Sequence, residues 1–180
     1  MKTRDLVTAA LLIAAGVVLN MLLRIPLIPN APFLEYSPSD VPTLLGTFAL
    51  GPIFGMLIGL LRAIAHFALG STGGVIGLVM DIASGVVLAG VAGLIYLRLK
   101  TRKGAVLALL GGSLAMTVVV VALNYFWAFP AFGAPANLVW TTALPFNLIK
   151  SAINAVIVFF LYKPLSAILQ GRNAKDPSMR

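Results

Sequence analysis

The sequence predicts an all-α integral membrane protein: a six-transmembrane-helix bundle with both termini cytoplasmic and a long outer loop between helices 1 and 2. Three observations carry this expectation. The 180-residue chain is 60% hydrophobic and only 10% charged, where a soluble domain carries roughly 25% charged residues; its mean hydropathy is +1.02. Apolar runs of about 20 residues, the length that spans a bilayer as a helix, recur along the chain. The basic residues fall between those runs in a pattern that assigns the two faces of the membrane.

The first helix is read at Asp5–Leu23. Its basic start (Lys2, Arg4) and small residues resemble a signal peptide. The apolar run continues to Leu23, however, long enough to span, so a retained helix is expected. Arg24–Pro38 contains Pro26, Pro29, Pro32 and Pro38 and reads as a loop, because proline lacks the N–H that continues a helix. Residues 39–69 are too long for one span, and Gly51-Pro52 divides them into helices near 40–50 and 52–69. Gly70–Gly74, with sequence GSTGG, is a loop, followed by a helix near 75–98. A basic loop over Leu97–Gly104 leads to a fifth helix near 104–128. Phe129–Asn137, with Pro130, Gly133 and Pro135, reads as a further loop, and a sixth helix covers about 140–169. The membrane domain is thus taken as residues 1–170, with a flexible cytoplasmic tail over 171–180.

Charge placement supports six crossings. Lys2 and Arg4, the loop cations Arg98, Lys100, Arg102 and Lys103, and the tail cations Lys163, Arg172, Lys175 and Arg180 all fall on one side. Arg24 alone lies in a loop on the other. The positive-inside rule makes the first side cytoplasmic. The same placement argues against nucleic acid as the partner of the net +8 charge. Cysteine is absent and His66 is the single histidine, which excludes disulfides and thiolate metal sites and disfavours a histidine metal site. No P-loop or HExxH motif occurs, and no internal repeat suggests an inverted-repeat transporter.

Polar groups inside hydrocarbon are costly and therefore candidates for function. Counting helix rise places Asn147 and Lys150 roughly 10–15 Å below the outer entry of the last helix, and Asp81 roughly 10 Å below that of the fourth. Asn124 and His66 lie near outer helix ends, Arg62 nearer mid-helix, and Glu35 and Asp40 at the outer loop and the start of the second helix. Nearly all fall in the outer half, as a capture pocket open to one side requires. Asn147, Lys150 and Asn154 share one helix face by their i, i+3, i+7 spacing. Two readings stand for them: contact with a small polar ligand, or hydrogen bonding between helices, with Lys150 paired to Asp40 or Glu35. Arg62 and Asp81 read as an ion pair or as counter-charges to loop acids, and His66 as a satisfied bundle histidine. The stiff loop carrying Phe33-Leu34-Glu35-Tyr36 can act as a lid. Ala10 and Ala14 form a small-xxx-small pair on the first helix, which permits close helix approach.

Four segments in order, Phe33–Pro42, Gly46–Pro52, Asn124–Phe126 and above all Leu144–Lys150, resemble the riboflavin-binding S components of energy-coupling-factor (ECF) vitamin transporters. The resemblance covers about residues 5–165. It implies six helices, a riboflavin site near the outer surface and a lid from the first loop. Glu35, Asn124, Asn147 and Lys150 match the family's ligand-contacting positions. Ala10 and Ala14 match the motif by which the first helix docks on a transmembrane T component. Two ATPase subunits would complete the complex, and the S component is thought to topple in the membrane during transport. With the residue-level reading, the expected ligand-binding set is Leu34, Glu35, Asp40, Asn124, Asn147 and Lys150. Riboflavin is then the cargo rather than a cofactor, the chain has no ATP site of its own, and its setting is a bacterial cytoplasmic membrane. The alternatives are an S component for another vitamin, or a self-contained secondary transporter with Lys150, Asp81 or Arg62 in coupling.

Overall fold

The break at Gly51-Pro52 organises the middle of the molecule. In the computed structural model, which describes residues 3–28, 34–71 and 73–169, Gly51 has φ +101° and Pro52 opens the next helix. A positive φ favours glycine, and the first helical turn is where proline costs nothing. Helix α2 (Asp40–Leu50) therefore folds back against α3 (Pro52–Ala68) as an antiparallel pair. Gly55 meets Thr47 and Gly46 meets Ile58 across this hairpin.

Around the pair stand α1 (Thr3–Leu22), α4 (Gly74–Arg98), α5 (Arg102–Leu123) and the last helix, α6 (Ala143–Leu169). The Thr101 hydroxyl caps α5 by accepting the Gly104 N–H at 2.9 Å. α3 and α4 run antiparallel and touch at glycines: a Cβ at Gly59 would lie 2.9 Å from the Gly85 carbonyl carbon. α1 runs parallel to α3, so that Gly16 faces Arg62 and Asn20 faces His66. Helices α1, α4, α5 with its continuation to Ala131, and the segment Ala136–Leu161 are long and apolar enough to cross a membrane; α2 and α3 are shorter. Leu22, Phe126 and Phe160 are 76%, 78% and 72% exposed. Large apolar side chains displayed this way are ordinary against lipid tails and a liability in water.

α2 is the hub. Nine of its 11 residues are buried. Its lower half (Leu44, Leu45, Phe48) packs with Leu88 and Ala92 of α4, Met116 of α5 and Val158 of α6 in an apolar core. Its upper end carries Asp40 into a polar layer.

Two segments differ from the sequence expectation. Helix five does not stop at residue 128. A π-helical turn (Asn124–Ala128) carries it through Phe129–Ala131, with the Phe129 N–H bonded to the Asn124 carbonyl. The wider turn shifts the hydrogen-bond register where Pro130 offers no donor. The helix ends at Gly133 (φ +70°), where Gly133 N–H bonds the Pro130 carbonyl and Ala134 N–H the Phe129 carbonyl. A 3₁₀ turn (Ala136–Trp140) then leads toward α6. The first loop also holds structure that its prolines do not suggest: β1 (Ile25–Pro26) and β2 (Glu35–Tyr36) pair antiparallel and tie its two ends together. Pro29, Pro32, Phe33 and the tail 171–180 lie outside the described residues.

Candidate ligand-binding site

The alternating directions of the helices bring six element ends to one level: the ends of α1, α3 and α5 and the starts of α2, α4 and α6. There they enclose a cavity of about 780 Å³, within the range of roughly 300–1,000 Å³ typical of small-molecule sites. Ser84 of α4, ten residues into its helix, marks its depth, so the cavity occupies one half of the bundle.

Five of the six expected ligand-binding residues line it. Leu34 and Glu35 come from the first loop, Asn124 from the π turn of α5, and Asn147 and Lys150 from one face of α6. Asn124 and Asn147 are buried, and each donates its side-chain N–H to the carbonyl one turn earlier, Val120 at 2.8 Å and Ala143 at 2.7 Å. These bonds fix both amides, and no described protein group takes their Oδ1 atoms. Met80, Phe129, Phe132 and Phe146 add apolar and aromatic wall. A flat, largely apolar molecule with a polar edge matches such a lining.

Asp40, also expected among the ligand-binding residues, is the exception. Its side chain is wholly buried and off the cavity wall. Oδ2 lies 2.8 Å from Lys150 Nζ and Oδ1 3.2 Å from Arg62 Nη2. Asp40 thus meets the cavity only through Lys150. Lys150 lines the cavity and also closes the ion pair with Asp40 that the sequence offered for it.

Behind the wall, Arg62 is completely buried. It donates to Asp81 Oδ1 at 2.7 Å, to Asp40 Oδ1 at 3.2 Å and to Ser39 Oγ at 2.7 Å. Arg62 and Lys150 balance Asp40 and Asp81, so charge in the layer is paired. His66 reaches the cavity as well as the network. Arg24 Nη2 donates to its Nε2 at 3.0 Å, since a guanidinium offers only donors. Nδ1 lies 3.0 Å from the Asn20 amide and 3.7 Å from Asp81 Oδ2. Arg24 also pairs with Glu35 at 3.7 Å, tying the first loop to α3. Sequence reasoning missed Asn20, Arg24 and Ser84, all on the wall. The Ser84 Oγ is buried without a protein partner. Below the cavity, Tyr36 on β2 donates its hydroxyl to Asn154 Oδ1 at 2.9 Å, placing Asn154 in a bond between elements rather than on the wall. Burial, and then the Asp40 carboxylate, push the Tyr36 phenol up to about 12.

On the outside of the bundle, Ala10 and Ala14 line an apolar groove between α1 and α3, with Ile13, Leu61, Ile64 and Ala65.

The fold and the cavity define a helical membrane protein with a single-ended, ligand-sized polar site. Comparison with known proteins narrows the class. A family model for the substrate-specific component of ECF transporters matches residues 4–162, and the chain belongs to that family. Its members are substrate-binding transport subunits, not catalysts. The chain is 29% identical to the riboflavin transporter RibU of Staphylococcus aureus (strain TCH60), over 94% of each sequence. It also matches a solved structure of the S component of a bacterial ECF transporter, with a TM-score of 0.83, 29% identity, and coverage of 94% of this chain and 99% of that one.

Proposed function

We propose that this protein captures riboflavin from outside a bacterial cell and delivers it for ATP-driven uptake by an ECF complex in the cytoplasmic membrane. The observation that carries this reading is the convergence of Asn124, Asn147 and Lys150 on one aromatic-walled cavity at a single end of the bundle. The amides and the amine address the polar pyrimidine edge and the hydroxylated tail, and Phe129, Phe146 and Leu34 cover the apolar rings. Glu35, anchored by Arg24, accepts hydrogen bonds from the loop side. Both termini are cytoplasmic, with the short helices α2 and α3 descending into the bundle and returning as its second and third helices. Ala10 and Ala14 offer the groove on which a T component docks, and two ATPase subunits supply the energy.

The test is a spectrum. Protein purified from riboflavin-fed cells should carry flavin absorbance, and Asn147→Ala and Lys150→Met should lose it. A folded wild-type protein that takes up no flavin at micromolar concentration sinks the assignment.

A further inference from the structure

We propose that Arg62 is a positioning residue of the binding site: seated against Gly16 of α1, it sets Asp40, and through Asp40 it holds the Lys150 amine at the cavity wall without touching the ligand.

The geometry forms a continuous chain. Arg62 Nη2 bridges Asp81 at 2.7 Å and Asp40 at 3.2 Å, Nη1 reaches Ser39 at 2.7 Å, and the far oxygen of Asp40 lies 2.8 Å from Lys150 Nζ. Ser39 and Asp40 stand at the start of α2, so one guanidinium fixes both the entry of that helix and the carboxylate that aims the amine. Arg62 is not on the cavity wall. Its planar fork suits this bridging, since its donors point along fixed directions.

The seat is equally specific. A Cβ at Gly16 would lie 2.7 Å from Arg62 Cδ, 3.2 Å from its Cγ and 3.3 Å from the Ser39 carbonyl. With the head held by three partners, the stem has no room to yield, and even an alanine methyl displaces it. Alanine is otherwise the better helix former. A loss of binding in Gly16→Ala therefore comes from the Arg62 contact and not from a weakened α1.

The proposal uses the riboflavin reading for one of its two readouts. Riboflavin affinity per folded molecule is measured by flavin fluorescence for Arg62→Gln and Gly16→Ala, alone and combined with Lys150→Gln, which keeps a donor. Each single change should weaken binding at least tenfold. In the Lys150→Gln background the same change should cost less than twofold, because the amine being positioned is gone. A merely structural role would lower the folded fraction, or cost the same in both backgrounds; unchanged affinity or equal loss overturns the proposal. If Arg62→Gln fails to fold, Gly16→Ala decides by the same criteria. The second readout needs no ligand: the rate at which a small amine-directed reagent acylates Lys150, read by mass spectrometry, should change at least threefold in Gly16→Ala. An unchanged rate overturns the positioning role, whereas absence of riboflavin binding by wild type overturns only the choice of ligand.

Discussion

Lys150 Nζ lies 2.8 Å from Asp40 Oδ2, and that single contact joins the wall of the cavity to the buried charge layer beneath it. Removing the amine subtracts a wall contact and also strips a fully buried carboxylate of one of its two cations. Breaking a buried pair from one side costs about 3–5 kcal/mol; with Lys150 partly exposed and Arg62 still present, Lys150→Met should lower stability by roughly 2–3 kcal/mol. The double variant Lys150→Met/Asp40→Asn should recover at least half of that and none of the flavin binding. Thermal unfolding and flavin titration of the same samples separate the two effects.

Asn124 and Asn147 sit on different helices, each locked by the backbone carbonyl one turn earlier, Val120 and Ala143 respectively. One hydrogen bond left unmade to a buried partner costs about 1–3 kcal/mol, and about 1.4 kcal/mol is tenfold in affinity. Asn124→Ala and Asn147→Ala should each weaken riboflavin binding by roughly tenfold or more, and the double variant by about the product. Titration by fluorescence quenching gives both numbers.

The glycine contact between α3 and α4 predicts a pure stability effect. A methyl at Gly59 would press on the backbone of Gly85, which has no rotamer to move. Gly59→Ala should destabilise by about 1–3 kcal/mol despite alanine's helix preference, seen as a lower unfolding temperature in detergent.

Ala14 is exposed in its groove and takes no part in the cavity. Ala14→Trp should reduce co-purification with a T component at least tenfold while flavin binding stays within twofold of wild type. A variant that assembles normally would place docking on another face.

The raised phenol of Tyr36 gives a pH window with a definite sign. The folded protein holds this proton more tightly than the unfolded chain, whose ordinary value is 10.0. Its contribution is therefore fully present below pH 10 and is lost as pH rises toward about 12. Tyr36→Phe should remove that part of the alkaline decline and cost about 1 kcal/mol near neutrality through the lost bond to Asn154. Unfolding midpoints at several alkaline pH values are the measurement.

Much of this is legible in the sequence. Gly51-Pro52 carries its own mechanism, so the limits of α2 and α3 came within a residue of their observed ends. Asn124, Asn147 and Lys150 stood out because polar groups inside apolar runs need a reason, and the pairing of Arg62 with Asp81 followed from the same rule. Other features depended on how helices rotate and pass one another. A helix buried almost all round has no apolar stripe to show which way Asp40 points. Asn20 and Arg24 end a helix at the membrane surface, where polar residues are ordinary. The seat of Arg62 at Gly16 exists only because α1 runs parallel to α3. The extension of α5 past Pro130 needed a π turn, for which local composition gives no signal.

Nine buried residues in an 11-residue helix also say something about how the protein is made. Such a helix rises about 16 Å, roughly half the hydrocarbon thickness. It carries Asp40, Thr43 and Thr47 into the bundle, and of its main neighbours there, α1, α3, α4 and α6, all but α1 are synthesised after it. As the chain leaves the ribosome, α2 has only α1 of the protein surface that shields those groups from lipid. Its final depth therefore waits on helices made after it, although it is itself made second.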